Sequence, residues 1–118
     1  DQLMIVLARE VLKDNPGAPI ITEVKASKAF FDEVAKAGGT PVMWAAGHSL
    51  IKSKMAEMQA PLAGEMSGHI FFADKYFGYD DAIYTTVRLL SILANTDQSV
   101  ADMQNALPKF MNTPELRF

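Results

Sequence analysis

Between Leu62 and Phe72 the chain reads LAGEMSGHIFF, and the centre of that stretch carries more polar chemistry than a turn requires. A two-residue hairpin is built on pairs such as Asn-Gly or Asp-Gly. Here Glu65, Met66, Ser67, Gly68 and His69 stand between Gly64 and the apolar Ile70-Phe71-Phe72. A carboxylate accepts hydrogen bonds from hydroxyls, a serine donates and accepts, and an imidazole exchanges protons near neutral pH. Two further groups follow short strand-like runs: Lys25 after APIITEV, and His48 after TPVMWA and a glycine. A cation, two imidazoles, a carboxylate and a hydroxyl suit a polyhydroxylated or phosphorylated small molecule.

Each residue also has a plainer reading. Lys25 reads as a solvated loop lysine, His48 as a residue that helps to cap a helix, and His69 as an edge-strand residue on a wet face. Glu65 is harder to dismiss, because a glutamate among apolar strand ends is costly to desolvate without a partner. Asp80-Asp81 has the look of a metal pair, yet two acids opening a helix read as a cap and a dipole partner, so no metal is expected there. The methionines at helical spacing read as core filler.

These residues need elements to hold them. Leu3, Met4, Leu7, Val11 and Leu12 follow helical spacing from Gln2 to Lys13, and Asn15-Pro16-Gly17 stops the pattern. Ala18 to Val24 is short and β-branched, a strand, and Ser27 then caps a helix through Ala37 that Gly38-Gly39 ends. The unit repeats: Thr40 to Ala45 is a strand, Gly47-His48-Ser49 a loop, and Leu50, Ile51, Met55 and Met58 line a helix ending before Pro61. PLAGE and HIFFA are two short strands around the opening motif. Asp80 or Asp81 caps a long helix with Ile83, Val87, Leu90 and Ala94 as its apolar stripe, and Ser99 caps a last helix from Val100 to Leu107.

Strands alternating with helices imply parallel pairing with right-handed crossovers, hence an α/β three-layer sandwich. The Glu65 loop is too short for a crossover, so its two strands pair antiparallel and the four-stranded sheet is mixed but mostly parallel. Ligands of open α/β sheets bind at the carboxyl ends of the parallel strands. Lys25, His48 and Glu65 follow the first three strands, which gathers them with Ser67 and His69 on one edge.

The composition narrows the function. A chain of 118 residues is one domain's worth, and 49% apolar with 21% charged residues is ordinary for a folded chain. A net charge of −3 recruits neither nucleic acid nor an anionic membrane. With no cysteine there is no disulfide framework, which fits a reducing, cytoplasmic setting. The run from Leu3 to Ala8 is far short of the roughly 20 residues of a membrane span, and it follows Asp1 rather than the basic start of a signal peptide. A start at Asp1 in place of Met implies a piece of a longer chain.

GEMSGH (Gly64 to His69), GHSLIK (Gly47 to Lys52), EVKAS (Glu23 to Ser27) and YFGYDDAIYTTVRLL (Tyr76 to Leu90) together resemble the third, sugar-binding domain of the α-D-phosphohexomutases, in the phosphomannomutase/phosphoglucomutase branch. The four motifs occur in family order and at family spacing. On that resemblance residues 1–111 are the domain, and residues 112–118 are a linker towards a fourth domain. The resemblance implies an enzyme that interconverts hexose 1-phosphate and 6-phosphate, of glucose or mannose, through a bound glucose 1,6-bisphosphate. In such enzymes a first domain supplies a phosphoserine and a second an Asp-Gly-Asp loop that holds Mg²⁺, and neither motif occurs in this chain.

Residue by residue, the resemblance implies that Glu65 and Ser67 bind the O3 and O4 hydroxyls of the sugar and that His69 acts in proton transfer or substrate contact. It places Lys25 and His48 in the cleft near the transferring group, with Lys25 also catalytic and Met66 among the substrate-binding positions. Met66 favours the phosphomannomutase/phosphoglucomutase branch over phosphoglucosamine mutases, which more often carry Gln. Glu23, Ala26 and Ala46 stand where Asp, Cys and Thr are common. The implied partners are hexose phosphates and the other domains of the same chain. Two rival readings are a free-standing sugar-phosphate binding module without catalysis, and a nucleotide-binding α/β domain, which the absence of a Gly-rich phosphate loop weakens.

Overall fold

The computed structural model describes residues 1–109, so the expected linker at 112–118 lies outside the described residues. Its elements, in chain order, are α1 (Gln2–Asp14), β1 (Pro19–Glu23), α2 (Lys28–Lys36), β2 (Thr40–Trp44), α3 (His48–Met58), β3 (Leu62–Gly64), β4 (Ile70–Phe72), α4 (Ala82–Ala94) and α5 (Val100–Asn105). The four strands lie in the order β2-β1-β3-β4. β1 pairs parallel with β2 and β3, whereas β3 and β4 pair antiparallel across the Glu65 loop, with Ala63 opposite Phe71 and Gly64 opposite Ile70. The expected mixed, mostly parallel α/β sandwich is therefore what forms.

Central β1 explains the layering. From Ile20 to Glu23 every residue is buried, because helices cover both faces of this parallel strand. Ile20 points with Leu62, Ile70 and Phe72 into a core closed by α1 and α2, through Met4, Leu7, Val11, Phe30 and Val34. Ile21, Ala63 and Phe71 point to the other face, which α3 covers with Ile51 and Met55. Phe30, Phe71 and Phe72 are at most 1% exposed, and full burial of such a side chain stabilises by about 1.5–3 kcal/mol. Helix α1 comes so close to β3 that a Cβ at Gly64 would run into the Met4 thioether. A larger residue just before Glu65 would require the Met4 side chain to move.

Two expectations need correction. His48 and Ser49 belong to the first turn of α3, with Gly47 at its N-cap, instead of to a loop. The larger correction concerns α4. Its stripe of Ile83, Val87 and Leu90 faces solvent, 80%, 55% and 57% exposed, and no residue of the helix is buried. The inward side carries Tyr84, Arg88 and Ile92 instead. Arg88 forms a two-pronged ion pair with Asp74, at 2.7 and 2.8 Å, and lies 4.6 Å over the Phe72 ring. Tyr84 packs edge-on against Phe72, and Tyr76 stacks on Tyr84 with ring centroids 3.9 Å apart. A paired arginine thus takes the core-facing position that an aliphatic side chain was expected to fill.

Candidate functional site

At the carboxyl ends of β1, β2 and β3 the chain builds three adjoining turns. The first follows β1: the Ala26 N–H donates to the Glu23 carbonyl at 3.1 Å, which leaves Lys25 exposed at the bend. The second is the start of α3, where Gly47 adopts φ +122°, a left-handed conformation that suits glycine. The third is the Glu65 loop. It is closed by Glu65 N–H to the His69 carbonyl at 2.8 Å and Gly68 N–H to the Glu65 carbonyl at 3.0 Å, with Gly68 at φ +102°. Two backbone bonds over five residues make a rigid platform from which Met66, Ser67 and His69 project into solvent.

Glu65 itself is 7% exposed. Its Oε1 accepts from the Gly47 N–H at 2.6 Å, and its Oε2 lies 3.5 Å from the Ser67 hydroxyl. A buried carboxylate needs such partners, and with about four lone-pair sites it retains capacity for a ligand's hydroxyls. The start of α3, which has no side-chain cap of its own, is thereby tied to the loop and not capped by His48. His48 is brought near His69, with ring centroids 6.3 Å apart.

Glu23, noted in the sequence only as a departure from the family pattern, is hydrogen-bonded to the Glu65 loop. It is 3% exposed and accepts from the Met66 N–H at 2.8 Å, so the carboxylate ending β1 fixes the tip of the Glu65 loop. The available signal was an acid as the last residue of a strand that is otherwise apolar but for Thr22. Asp80 is the second such residue: its Oδ2 lies 2.5 Å from Nδ1 of His69. A carboxylate can only accept, so Nδ1 carries the proton and Nε2 is the free position on the ring. The ten residues between His69 and Asp80 gave no sequence signal, because the turn after β4 creates the approach.

Asp81 is the cap of α4. It accepts from the Tyr84 N–H at 3.0 Å and from the Tyr76 hydroxyl at 2.6 Å. The Tyr76 hydroxyl, followed by the helix amides, holds the Asp81 carboxyl below its usual range, and the same bond raises the Tyr76 phenol. The two acids of the Asp-Asp pair therefore act separately, one on a histidine and one on a helix. Among the described residues no three histidine, aspartate or glutamate side chains converge to hold a metal. The hydrogen bonds join Glu65, Ser67, His69 and the start of α3, while Lys25 stands on the same edge outside that network. The platform is open rather than a closed cavity. A groove of about 660 Å³ elsewhere on the molecule is lined by Asp1, Ser27, Gln104 and their neighbours, and by none of these residues.

The chain is similar in sequence and fold to known proteins. Residues 1–110 match the family model described as phosphoglucomutase/phosphomannomutase, alpha/beta/alpha domain III. The chain belongs to the phosphoglucomutase/phosphomannomutase family. It is 47% identical over 116 residues to a phosphomannomutase/phosphoglucomutase of Pseudomonas syringae pv. tomato, covering 98% of this chain and 25% of that protein. A phosphoglucomutase of Neisseria meningitidis serogroup A is 43% identical over the same share of each chain. A crystal structure of a phosphoglucomutase/phosphomannomutase family protein from Burkholderia thailandensis superposes with a TM-score of 0.90 at 49% identity, over 96% of this chain and 24% of that one. This phosphoglucomutase/phosphomannomutase domain thus spans about a quarter of the length of the relatives it matches. Among the described residues no helix is long and apolar enough to cross a membrane.

Proposed function

We propose that this chain is the sugar-reading domain of a longer phosphohexomutase that interconverts the 1- and 6-phosphates of glucose and mannose through a bound glucose 1,6-bisphosphate. Residues 1–111 form the domain and 112–118 lead towards a fourth. The observation that supports this most is Glu65: a buried carboxylate, fixed by Gly47, with lone pairs left beside the exposed Ser67 hydroxyl. Two adjacent acceptor and donor groups on a rigid platform can bind two neighbouring hydroxyls of a pyranose, O3 and O4, by charge-assisted hydrogen bonds. His69, with Nε2 free, contacts the substrate or moves a proton, and Lys25 offsets the charge of the transferring phosphoryl group. His48 and Met66 border the bound sugar. The Mg²⁺ and the phosphoserine would be held by other domains, where the metal supplies charge stabilisation for phosphoryl transfer. This domain contributes positioning, and positioning is much of the catalysis in such reactions.

The reading predicts a pattern of specificity. Glucose and mannose differ only at C2, which nothing on this loop reads, so the full-length chain should turn over both 1-phosphates comparably. Galactose 1-phosphate, inverted at C4, leaves a buried acceptor unpaired at about 1–3 kcal/mol, roughly a fivefold to hundredfold loss in kcat/KM. Steady-state kinetics on the three substrates tests it, and equal use of galactose 1-phosphate contradicts it. The competing reading, a stand-alone sugar-phosphate binding module, requires tight binding by the 118-residue chain alone. Sub-micromolar affinity for glucose 1-phosphate in calorimetry would favour it.

A further inference from the structure

The turn after β4 delivers an acid to the open edge of the sheet. The Gly78 N–H donates to the Phe72 carbonyl at 2.7 Å, and Gly78 at φ +74° takes the left-handed conformation that lets the chain double back. Asp80 then pairs antiparallel with Phe71 in a single bridge outside the named strands. Residues two apart on a strand share a face, so His69 lies on the side of Phe71, diagonally across from Asp80. The next residue, Asp81, is fixed by the Tyr84 amide and the Tyr76 hydroxyl. Asp80 is thus held by its backbone and by its neighbour, and its Oδ2 reaches Nδ1 of His69 at 2.5 Å.

Two structural roles do not account for this contact. Asp81 already caps α4, so Asp80 is not needed there. A pair whose side chains are 47% and 40% exposed adds little to stability. What the contact does decide is which ring nitrogen keeps a lone pair. We propose that Asp80 is a positioning residue for the mutase reaction, holding His69 as the Nδ1–H tautomer so that Nε2 can accept the proton of the sugar hydroxyl. The inference rests on reading His69 as a group that moves a proton. In the first transfer the hydroxyl oxygen bonds to phosphorus as the phosphoserine O–P bond breaks, the serine oxygen leaves with that electron pair, and the hydroxyl proton passes to Nε2. In the second, the serine oxygen attacks the other phosphoryl group, and the sugar oxygen released takes the proton back from Nε2. Between the two transfers the imidazolium is paired with the Asp80 carboxylate. With the proton on Nε2 instead, neutral His69 has no lone pair at that nitrogen and the first transfer loses its base.

Nitrogen NMR of the full-length natural chain with isotope-labelled histidine tests the proposal, the His69 signals being assigned by their absence in His69→Gln. The neutral His69 ring should carry its proton on Nδ1 in the wild type. It should shift towards Nε2–H in Asp80→Asn, whose amide has the shape of the carboxylate without its charge. In steady-state turnover of glucose 1-phosphate, Asp80→Asn should lower kcat by about tenfold to a thousandfold and leave KM within about threefold, because the base is lost and the substrate's hydrogen bonds are kept. A wild-type ring protonated on Nε2 overturns the inference. So does an Asp80→Asn chain with kcat within about twofold of wild type when His69→Gln is inactive, an outcome that leaves the role of His69 standing. Full activity in both variants would overturn the proton-transfer reading of His69, and the inference with it.

Discussion

The strand-end edge and the outer face of α4 lie next to each other and are organised in opposite ways. On the edge, polar groups are buried and each has a partner: Glu23 holds the Met66 amide and Glu65 holds the Gly47 amide. On the helix, Ile83, Val87 and Leu90 are apolar, exposed and uncovered. Desolvating a carboxylate is costly, so an edge that buries two of them has fixed its geometry before any ligand arrives. An apolar stripe in water gains free energy only when something covers it. The first region is organised by its own hydrogen bonds, and the second leaves its apolar side chains exposed.

The sharpest way to break the comparison uses neighbouring residues of α4. Arg88→Ala removes one partner of a pair whose side chains are 13% and 3% exposed and should destabilise the 118-residue chain by about 3–5 kcal/mol, as read by denaturant unfolding. Val87→Lys, one residue away, should change it by less than about 0.5 kcal/mol. The pair also has a pH signature. Burial opposes ionisation of Asp74, yet the Arg88 hydrogen bonds and charge outweigh it, and the carboxyl stays below its ordinary range. A carboxyl with a lowered folded pKa contributes stability that is complete above the unfolded value near 4 and is lost as pH falls through and below it. The wild type should therefore lose stability between about pH 5 and 2, and Arg88→Ala should flatten that slope. An unchanged slope would show that Asp74 is not held by Arg88.

A smaller effect sharpens the other half. Glu23→Ala leaves the Met66 amide without its acceptor and should cost about 1–3 kcal/mol, with faster exchange of the Met66 N–H in particular. Glu23→Gln retains an acceptor oxygen and should recover most of that loss. Equal damage from both substitutions would mean that the charge of the carboxylate, and not its volume or an acceptor oxygen alone, holds the loop.

Fold and site differed in how far the sequence disclosed them. The strand-helix alternation fixed the sheet and its mixed pairing, because each strand is a short apolar run bounded by turn residues. Lys25, His48, Glu65, Ser67 and His69 could be placed on one edge because parallel strands send their carboxyl ends the same way. The inward face of α4 could not be read. Ile83, Tyr84, Val87, Leu89, Leu90, Ile92 and Leu93 put apolar groups nearly all round the helix, and the single charge that ought to mark the wet side is buried by a partner fourteen residues earlier. Glu23 and Asp80 were missed for a related reason: their partners, Met66 and His69, come from distant turns, and only tertiary structure brings them within hydrogen-bond distance.

The account depends most on Glu65. In the full-length chain, Glu65→Ala should lower kcat/KM by about tenfold to several hundredfold, and by similar factors for glucose 1-phosphate and mannose 1-phosphate, because each 1.4 kcal/mol of lost transition-state binding is about tenfold. Steady-state kinetics of wild type and variant on both substrates is the direct measurement. A comparable loss on both supports a loop that reads hydroxyls common to the two sugars. Loss on one sugar alone, or full activity on both, would contradict it.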